Sequence, residues 1–265
     1  MGSNIPRRLE RDADGGNGGG NGLDFTHDPA WRILRIMAEF VDGFTFLARI
    51  QKSVTIFGSA RLPDDHPYYQ KARELGRRLA GAGYTVVTGG GPGVMQAANQ
   101  GAYDADGHSV GLNIQLPHEQ RTNPYVMESM SFHYFFSRKV MLDFSAEAYI
   151  FFPGGFGTLD EFFELVTLAQ TGKLERNVPV VLIGKAFWEP LVHWMKSSML
   201  REMQAIAPAD LKIWTLTDEI DEVMRMVEEG VQAQTQERLT KTGRTRKTPD
   251  DMLQQATQPM AGTEQ

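Results

Sequence analysis

The sequence predicts a doubly wound α/β fold, a parallel sheet with helices on both faces in three layers. Short apolar runs alternate along the chain with segments of helical periodicity. Several runs, such as Val178 to Ile183, are apolar throughout, as expected of strands buried on both faces. Three strand ends run into glycine-rich turns: Gly58-Ser59, Gly89 to Gly93 and Gly154 to Thr158. Ligands of such sheets bind outside the carboxyl ends of the strands.

Residues 1–24 are polar and glycine-rich, with GGNGGGNG at Gly15 to Gly22, and read as a disordered tail. A helix starts near Asp28 or Pro29 and carries Trp31, Ile33, Leu34, Ile36, Met37 and Phe40, then Phe44, Phe46 and Leu47. That is more apolar surface than a lone surface helix needs. It packs on its own domain or on a partner subunit, and the pattern leaves both open. Val54 to Phe57 is the first strand. A helix follows from Pro67, with Tyr68, Ala72, Leu75 and Leu79 on one face; Pro67 suits its start and Gly81 and Gly83 its end. Tyr84 to Thr88 is the second strand, leading through the glycines to a helix with Val94, Ala97, Ala98 and Ala102.

His108 to Ile114 is a third strand, followed by a loop through Pro117 to Pro124, and Tyr125 to Phe132 leaves room for a short strand. Ser137 to Gly172 reads as helix, buried strand (Ala148 to Phe152), glycine turn and helix, the last with Leu159, Phe162, Phe163, Val166 and Ala169 on one face. Val178 to Ile183 is a strand. Phe187 to Met203 is a helix with Pro190 in its first turn, and Ile213 to Leu216 a last short strand. Thr217 or Asp218 caps a helix through Val227. The chain turns polar from Gln232, so residues 233–265 read as a second disordered tail, with Lys241 to Lys247 solvated. One domain, 25–232, remains, and no internal repeat is found.

The 265 residues hold 27 Lys and Arg against 33 Asp and Glu, a net charge of −6, which argues against a general nucleic-acid binder. There is no cysteine, which excludes disulfide and thiolate chemistry and suits the cytoplasm. No apolar run is long enough to span a bilayer, and no secretory h-region follows Arg7, Arg8 and Arg11.

Gly89-Gly90-Gly91-Pro92-Gly93 follows a strand, but GGGPG is not the GxGxxG dinucleotide spacing. Asn113 and Gln115 stand where an acidic ribose partner belongs, which disfavours NAD. Without Gly-Lys-Ser/Thr an ATPase is disfavoured; HExxH and GxSxG are absent too, so neither a metal nor a serine nucleophile is expected. Nor is any cofactor. Any one glycine turn can serve the chain's own geometry, but three at strand ends point to a shared phosphate or ribose site.

Arg138 lies near a helix N-terminus, where a cation is electrostatically misplaced, so some partner should hold it. His133 and Tyr134 could line the same pocket. Glu161 has two open readings. Thr158-Leu159-Asp160-Glu161 fits a capping box, with the glutamate bonded back to the cap. Alternatively Glu161 faces the crevice, and Asp160 points about 100° away around the helix.

Pro153-Gly154-Gly155-Phe156-Gly157-Thr158-Leu159-Asp160-Glu161 resembles the PGGxGTxxE motif of the LONELY GUY family, cytokinin riboside 5′-monophosphate phosphoribohydrolases long labelled lysine decarboxylases. Ser137 to Met141 resembles the family's RKxxM segment. Gly58 to Arg61 and Thr88 to Gly91 resemble its first two loops. The resemblance covers roughly Ser53 to Thr217. It implies a Rossmann-like fold and hydrolysis of the N-glycosidic bond of a purine nucleoside 5′-monophosphate (cytokinin or adenine) to free base and ribose 5-phosphate. It implies Arg138 and Glu161 as the catalytic pair. Gly58, Ser59, Gly89, Gly90, Gly91, Lys139, Gly154, Gly155, Gly157 and Thr158 would bind substrate and phosphate. It also implies a homodimer or higher homo-oligomer; the net charge and the lack of a bilayer-length apolar run are what leave no nucleic-acid or membrane partner expected.

Phe136-Ser137 depart from the His-Glu of short members, which leaves the base preference open. The chain looks like the longer bacterial members, some described as AMP nucleosidases. The alternative is a non-catalytic nucleotide or molybdenum-cofactor binder of the same fold.

Overall fold

The strands form one seven-stranded sheet in the order β4-β3-β2-β1-β5-β6-β7, with every neighbouring pair parallel. This computed structural model describes residues 29–115, 122–174 and 178–245. The elements run α1 (Pro29–Leu47), β1 (Ser53–Phe57), α2 (Pro67–Gly81), β2 (Thr85–Thr88), α3 (Val94–Asp104), β3 (Ser109–Ile114) and β4 (Glu128–Phe132). Then come α4 (Phe135–Asp143), β5 (Ala148–Phe151), α5 (Phe156–Gln170), β6 (Val180–Ile183), α6 (Lys185–Trp194), β7 (Trp214–Thr217) and α7 (Ile220–Thr245).

Alternation along the strands builds two cores. Val54, Ile56, Val86, Ile150 and Val181 pack with α2, α3 and α7 on one face. Phe57, Val87, Leu112, Phe151 and Leu182 pack on the other with Phe46, Met141, Leu142, Phe162, Leu165 and Trp188. The sheet is therefore covered on both sides, the three-layer arrangement that its apolar strands predict. β1 lies between β2 and β5, so the connections reverse direction there. The β1–β5 junction is the switch point where such sheets open a crevice.

α1 does pack on its own domain. Gly43 sits against the Met141 side chain, where a Cβ would come within 2.5 Å of the sulfur, and Phe46 is buried. Glu39 caps α4: it accepts hydrogen bonds from His133 N at 2.7 Å, Tyr134 N at 3.4 Å and Ser137 Oγ at 2.5 Å, while Tyr134 at the N-cap offers no side-chain bond of its own. Trp31, Ile33, Leu34, Met37 and Val41 remain exposed.

Several boundaries differ from expectation. The short strand left open in Tyr125 to Phe132 is β4, a mostly exposed edge strand whose polar residues give no apolar run. α6 starts at Lys185, so Pro190 is inside the helix rather than in its first turn, and the chain continues as a π-helix over Met195–Glu202. Asp218 is spent on that start: its Oδ1 accepts from Gly184 N at 2.8 Å and Lys185 N at 3.2 Å. Thr217 serves the approach to α7, accepting from Glu219 N at 3.0 Å and donating to Glu222 Oε2 at 2.5 Å.

The C-terminal tail expected from residue 233 is corrected more strongly, because α7 continues to Thr245. Its glutamines, glutamates and lysines are good helix formers, and extending a helix already nucleated costs little. Buried Gln234 anchors it by donating Nε2 to Glu147 O at 2.9 Å. The tail expected over residues 1–24, and the rest of the C-terminal one, lie outside the described residues, as do residues 116–121 of the Pro117 to Pro124 loop. Among the described residues no helix is long and apolar enough to cross a membrane.

α2 and α3 meet backbone to backbone. A Cβ on Gly101 would lie 1.9 Å from Arg73 O, and one on Gly76 2.2 Å from Ala98 O. Gly101→Ala gains helix propensity, about 1 kcal/mol, yet overpacking against backbone costs about 1–3 kcal/mol or more. The variant is expected to be less stable than the parent in urea unfolding; equal or greater stability would contradict this packing.

Candidate active site

A cleft of about 820 Å³ opens at the carboxyl ends of β1, β2, β3 and β5. Gly58, Ser59, Ala60 and Arg61 enter it from β1, Gly89 from β2, and Gly154 to Glu161 from β5. Two of these loops are tied together, since Ser59 N donates to Pro153 O at 3.0 Å and Ser59 O accepts from Val94 N at 2.9 Å.

α5 begins at Phe156 with Gly155 as its N-cap, and no side chain caps it. The N–H groups of its first turn are therefore left to the cleft, at the positive end of the helix dipole. The turn is tight: a Cβ on Gly154 would lie 2.1 Å from Thr158 Oγ1. Because the helix starts two residues before Thr158, the capping box does not form. Glu161 sits in the second turn, where it has no cap to bond back to.

Glu161 lines the cleft, is only 7% exposed, and its Oε2 has no hydrogen-bond partner among the described residues. Burial pushes its pKa up to about 7, against the opposing pull of Lys139 and Arg138. Arg138 also lines the cleft. Its Nε donates to Leu112 O at 2.7 Å, and its Nη2 passes so close to Gly89 that a Cβ there would lie 2.3 Å away. Burial pulls the guanidinium below its ordinary pKa, and Glu161 counters that by its charge. A carbonyl and a carboxylate are thus what hold this cation near its helix N-terminus.

Behind Glu161 is a carboxylate cluster. Asp143, Glu161 and Glu164 bring one oxygen each within 4.8 Å of one another, and like charge at that spacing demands a compensating proton or cation. Lys139 supplies part of it, 2.8 Å from Asp160 Oδ2 and 2.5 Å from Glu164 Oε2. Burial alone would lower the Lys139 pKa, but those two contacts raise it above the ordinary value. Asp143 is pushed up to about 8 by burial first, then by Glu164 and Glu161.

The cleft therefore collects Gly58, Ser59, Gly89, Arg138, Gly154, Gly155, Gly157, Thr158 and Glu161 from the expected set. Gly90, Gly91 and Lys139 do not line it. Gly90 N is already donated to Thr88 Oγ1 at 2.9 Å, and the Gly90 and Gly91 carbonyls accept from Asn123 N and Nδ2 at 2.9 and 3.0 Å, so both glycines shape the loop. Lys139, one residue around the helix from Arg138, turns to the acids of α5 instead. His133 and Tyr134 also stay off the cleft; their N–H groups serve Glu39. The sequence reading passed over Arg61, Met95, Ile114, Phe135, Phe156 and Phe187, which line the cleft, and Asp143 and Glu164 behind it. A cation directly after Gly-Ser-Ala at a strand end was a usable signal for Arg61. An acid directly after Val140-Met141-Leu142 was one for a buried Asp143, though not for its pairing.

Fold and site define a doubly wound α/β protein with a glycine-lined cleft at its switch point. A family profile described as "Possible lysine decarboxylase" matches residues 95–227. The chain is 31% identical over 131 residues to the cytokinin riboside 5′-monophosphate phosphoribohydrolase LOG of Oryza sativa subsp. japonica, covering 48% of this chain and 53% of that one. It is also 31% identical over 154 residues to the cytokinin riboside 5′-monophosphate phosphoribohydrolase of Rhodococcoides fascians, covering 55% and 74%. The match thus spans about half the length of the rice relative. Among solved structures, the molybdenum cofactor carrier protein of Chlamydomonas reinhardtii superposes with a TM-score of 0.51 at 22% identity, over 68% of this chain and 98% of that one. The chain belongs to the family that this profile and these relatives define, the LONELY GUY family.

The raised pKa of Glu161 has a consequence for stability. The folded state favours its protonated form, so the folded chain holds a proton that the unfolded chain releases above about pH 4.5. The resulting cost is absent in acid and fully present above about pH 7. Glu161→Gln is neutral throughout. It is expected to match the parent near pH 4 and to exceed it at pH 8 by on the order of 2 kcal/mol in urea unfolding. A difference that does not change with pH would contradict the assignment.

Proposed function

We propose that the protein hydrolyses the N-glycosidic bond of a purine nucleoside 5′-monophosphate, releasing the free base and ribose 5-phosphate. The observation that carries this reading is Glu161, a buried carboxylate with an unpartnered oxygen beside an uncapped, glycine-lined helix start in the same cleft. Relatives named as phosphoribohydrolases support it. Departure of the base leaves an oxocarbenium-like sugar with positive charge at C1′. A carboxylate there stabilises the charge or takes a proton from the attacking water. Glu161 fills that role. Its environment excludes water on one side, which strengthens its field at the anomeric carbon. Arg138 is held rigidly by Leu112 O and positions the ribose or assists the leaving base.

The Gly154–Thr158 turn, with the first-turn amides of α5, takes the 5′-phosphate. That remote contact orients the sugar and is used to lower the barrier. Gly58, Ser59 and Gly89 close the cleft around the ribose. Arg61 at the rim and the aromatic rings of Phe135, Phe156 and Phe187 offer charge and stacking surface to the rest of the nucleotide. Adenine and prenylated adenine are both within this reading, so AMP nucleosidase and cytokinin-activating activity share one chemistry. A homo-oligomer assembled through the exposed face of α1, in a cytoplasmic setting that suits a cysteine-free chain, completes the proposal.

Incubation with AMP and with isopentenyl-AMP, followed by chromatography for free base, tests it. Glu161→Gln should lose turnover about 100-fold or more while still binding AMP. Adenosine should be a worse substrate than AMP by on the order of 100-fold in kcat/KM, because it lacks the anchoring phosphate. Comparable values for the two would sink the phosphate anchor. No base released from a panel of monophosphates that nonetheless bind would favour a nucleotide carrier.

A further inference from the structure

Asp143 ends α4 and takes no part in lining the cleft, yet it is only 5% exposed and its Oδ1 has no hydrogen-bond partner among the described residues. An orphaned buried carboxylate oxygen calls for a physical reason. The charged groups facing it are Lys139 on its own helix and Asp160, Glu161 and Glu164 on α5. From β5, Tyr149 gives its hydroxyl to the Asp143 backbone carbonyl and so does nothing for the carboxylate. The ammonium of Lys139 is committed to Asp160 at 2.8 Å and Glu164 at 2.5 Å. Asp143 and Glu161 are left with oxygens within 4.8 Å of each other. Two buried carboxylates that close do not both ionise at neutral pH; the pair keeps a proton.

The two members are not equivalent. Glu161 faces Arg138 and the open cleft, both of which favour its anion. Asp143 faces neither. We propose that Asp143 is the proton-holding member of a buried carboxyl pair with Glu161, a positioning residue that keeps Glu161 ionised toward the cleft. Burial pushes both carboxyls up, as a pair that keeps a proton requires. The two pH steps belong to the pair as a whole. On losing its proton in mild alkali, Asp143 places a second negative charge behind Glu161. The doubly anionic pair then repels the 5′-phosphate of an incoming nucleotide, and kcat/KM falls. The alkaline effect rests on the reading of Glu161 as the working carboxylate; the location of the proton does not.

Infrared difference titration of the full chain without substrate tests the proton. Near pH 8, above the titration of Glu161 at about 7, a protonated-carboxyl band is expected that Asp143→Asn abolishes. Absence of the band in the parent, its survival in Asp143→Asn, or its release as a proton on saturable binding of Mg2+ would each overturn the proposal. Should Asp143→Asn fail to fold, Glu161→Gln decides: the band is expected to survive there, and its loss would overturn the proposal. The pH dependence of kcat/KM for AMP tests the effect. Asp143→Asn is expected to retain the acidic limb and most of the activity at pH 7 while losing the alkaline fall. An unchanged alkaline limb, or loss of turnover at every pH in a folded variant, would overturn the positioning role. A parent that cleaves no nucleotide would defeat the functional reading and leave the infrared result standing.

Discussion

A carboxylate withdrawn from water must find a compensating partner or take up a proton, and the site is organised around that constraint at Glu161. α5 carries it into the cleft one turn beyond the uncapped helix start. α4 then supplies most of what surrounds it. Arg138 faces it across the cleft, Lys139 neutralises the neighbouring Asp160 and Glu164, and Asp143 lies behind. These three residues come from one short helix, so the placement of α4 sets the electrostatics of the site. That placement has its own support. Glu39 of α1 accepts from the two amides just before α4 and from Ser137 Oγ in its first turn, and Gly43 lets α1 close onto Met141. The N-terminal helix thus acts on the chemistry through α4, without reaching the cleft.

The sheet provides the other half of the arrangement. With β1 between β2 and β5, three loops converge above one junction. Ser59 stitches two of them together through backbone bonds to Pro153 and Val94. The glycines there answer to specific neighbours: Gly89 to the Arg138 guanidinium and Gly154 to Thr158. A side chain at either position would occupy space already taken by a site residue. Close approach of a neighbouring side chain is what requires glycine at those two points. Gly90 and Gly91 belong to the loop's own hydrogen bonding instead.

Much of the fold was legible in the sequence because burial on both faces leaves an apolar run. β1, β2, β3, β5 and β6 were visible for that reason. β4 was left only as an open option, since an edge strand with exposed Glu128, Ser129 and Ser131 carries no such run. The far half of α7 was missed because polarity reads as disorder, whereas glutamine- and lysine-rich sequence also extends a helix once it has begun. Within the site, motif and turn chemistry located Arg138, Glu161 and the Gly154 turn. The choice between cap and cleft for Glu161 turned on where α5 starts, a two-residue difference that periodicity cannot resolve. Lys139 shows the converse limit. Its neighbour faces the cleft, and 100° of helical rotation sends it to the acids of α5. Asp143 escaped because a pair formed between separate helices has no spacing signature along the chain.

The most direct measurement is a crystal structure of Glu161→Gln with AMP bound. The account predicts the 5′-phosphate on the amides of the Gly154–Thr158 turn and C1′ beside the carboxamide of residue 161, with Arg138 still bonded to Leu112 O. A phosphate lodged on the Gly89–Gly93 loop, or a nucleotide reversed so that its base faces residue 161, would contradict it.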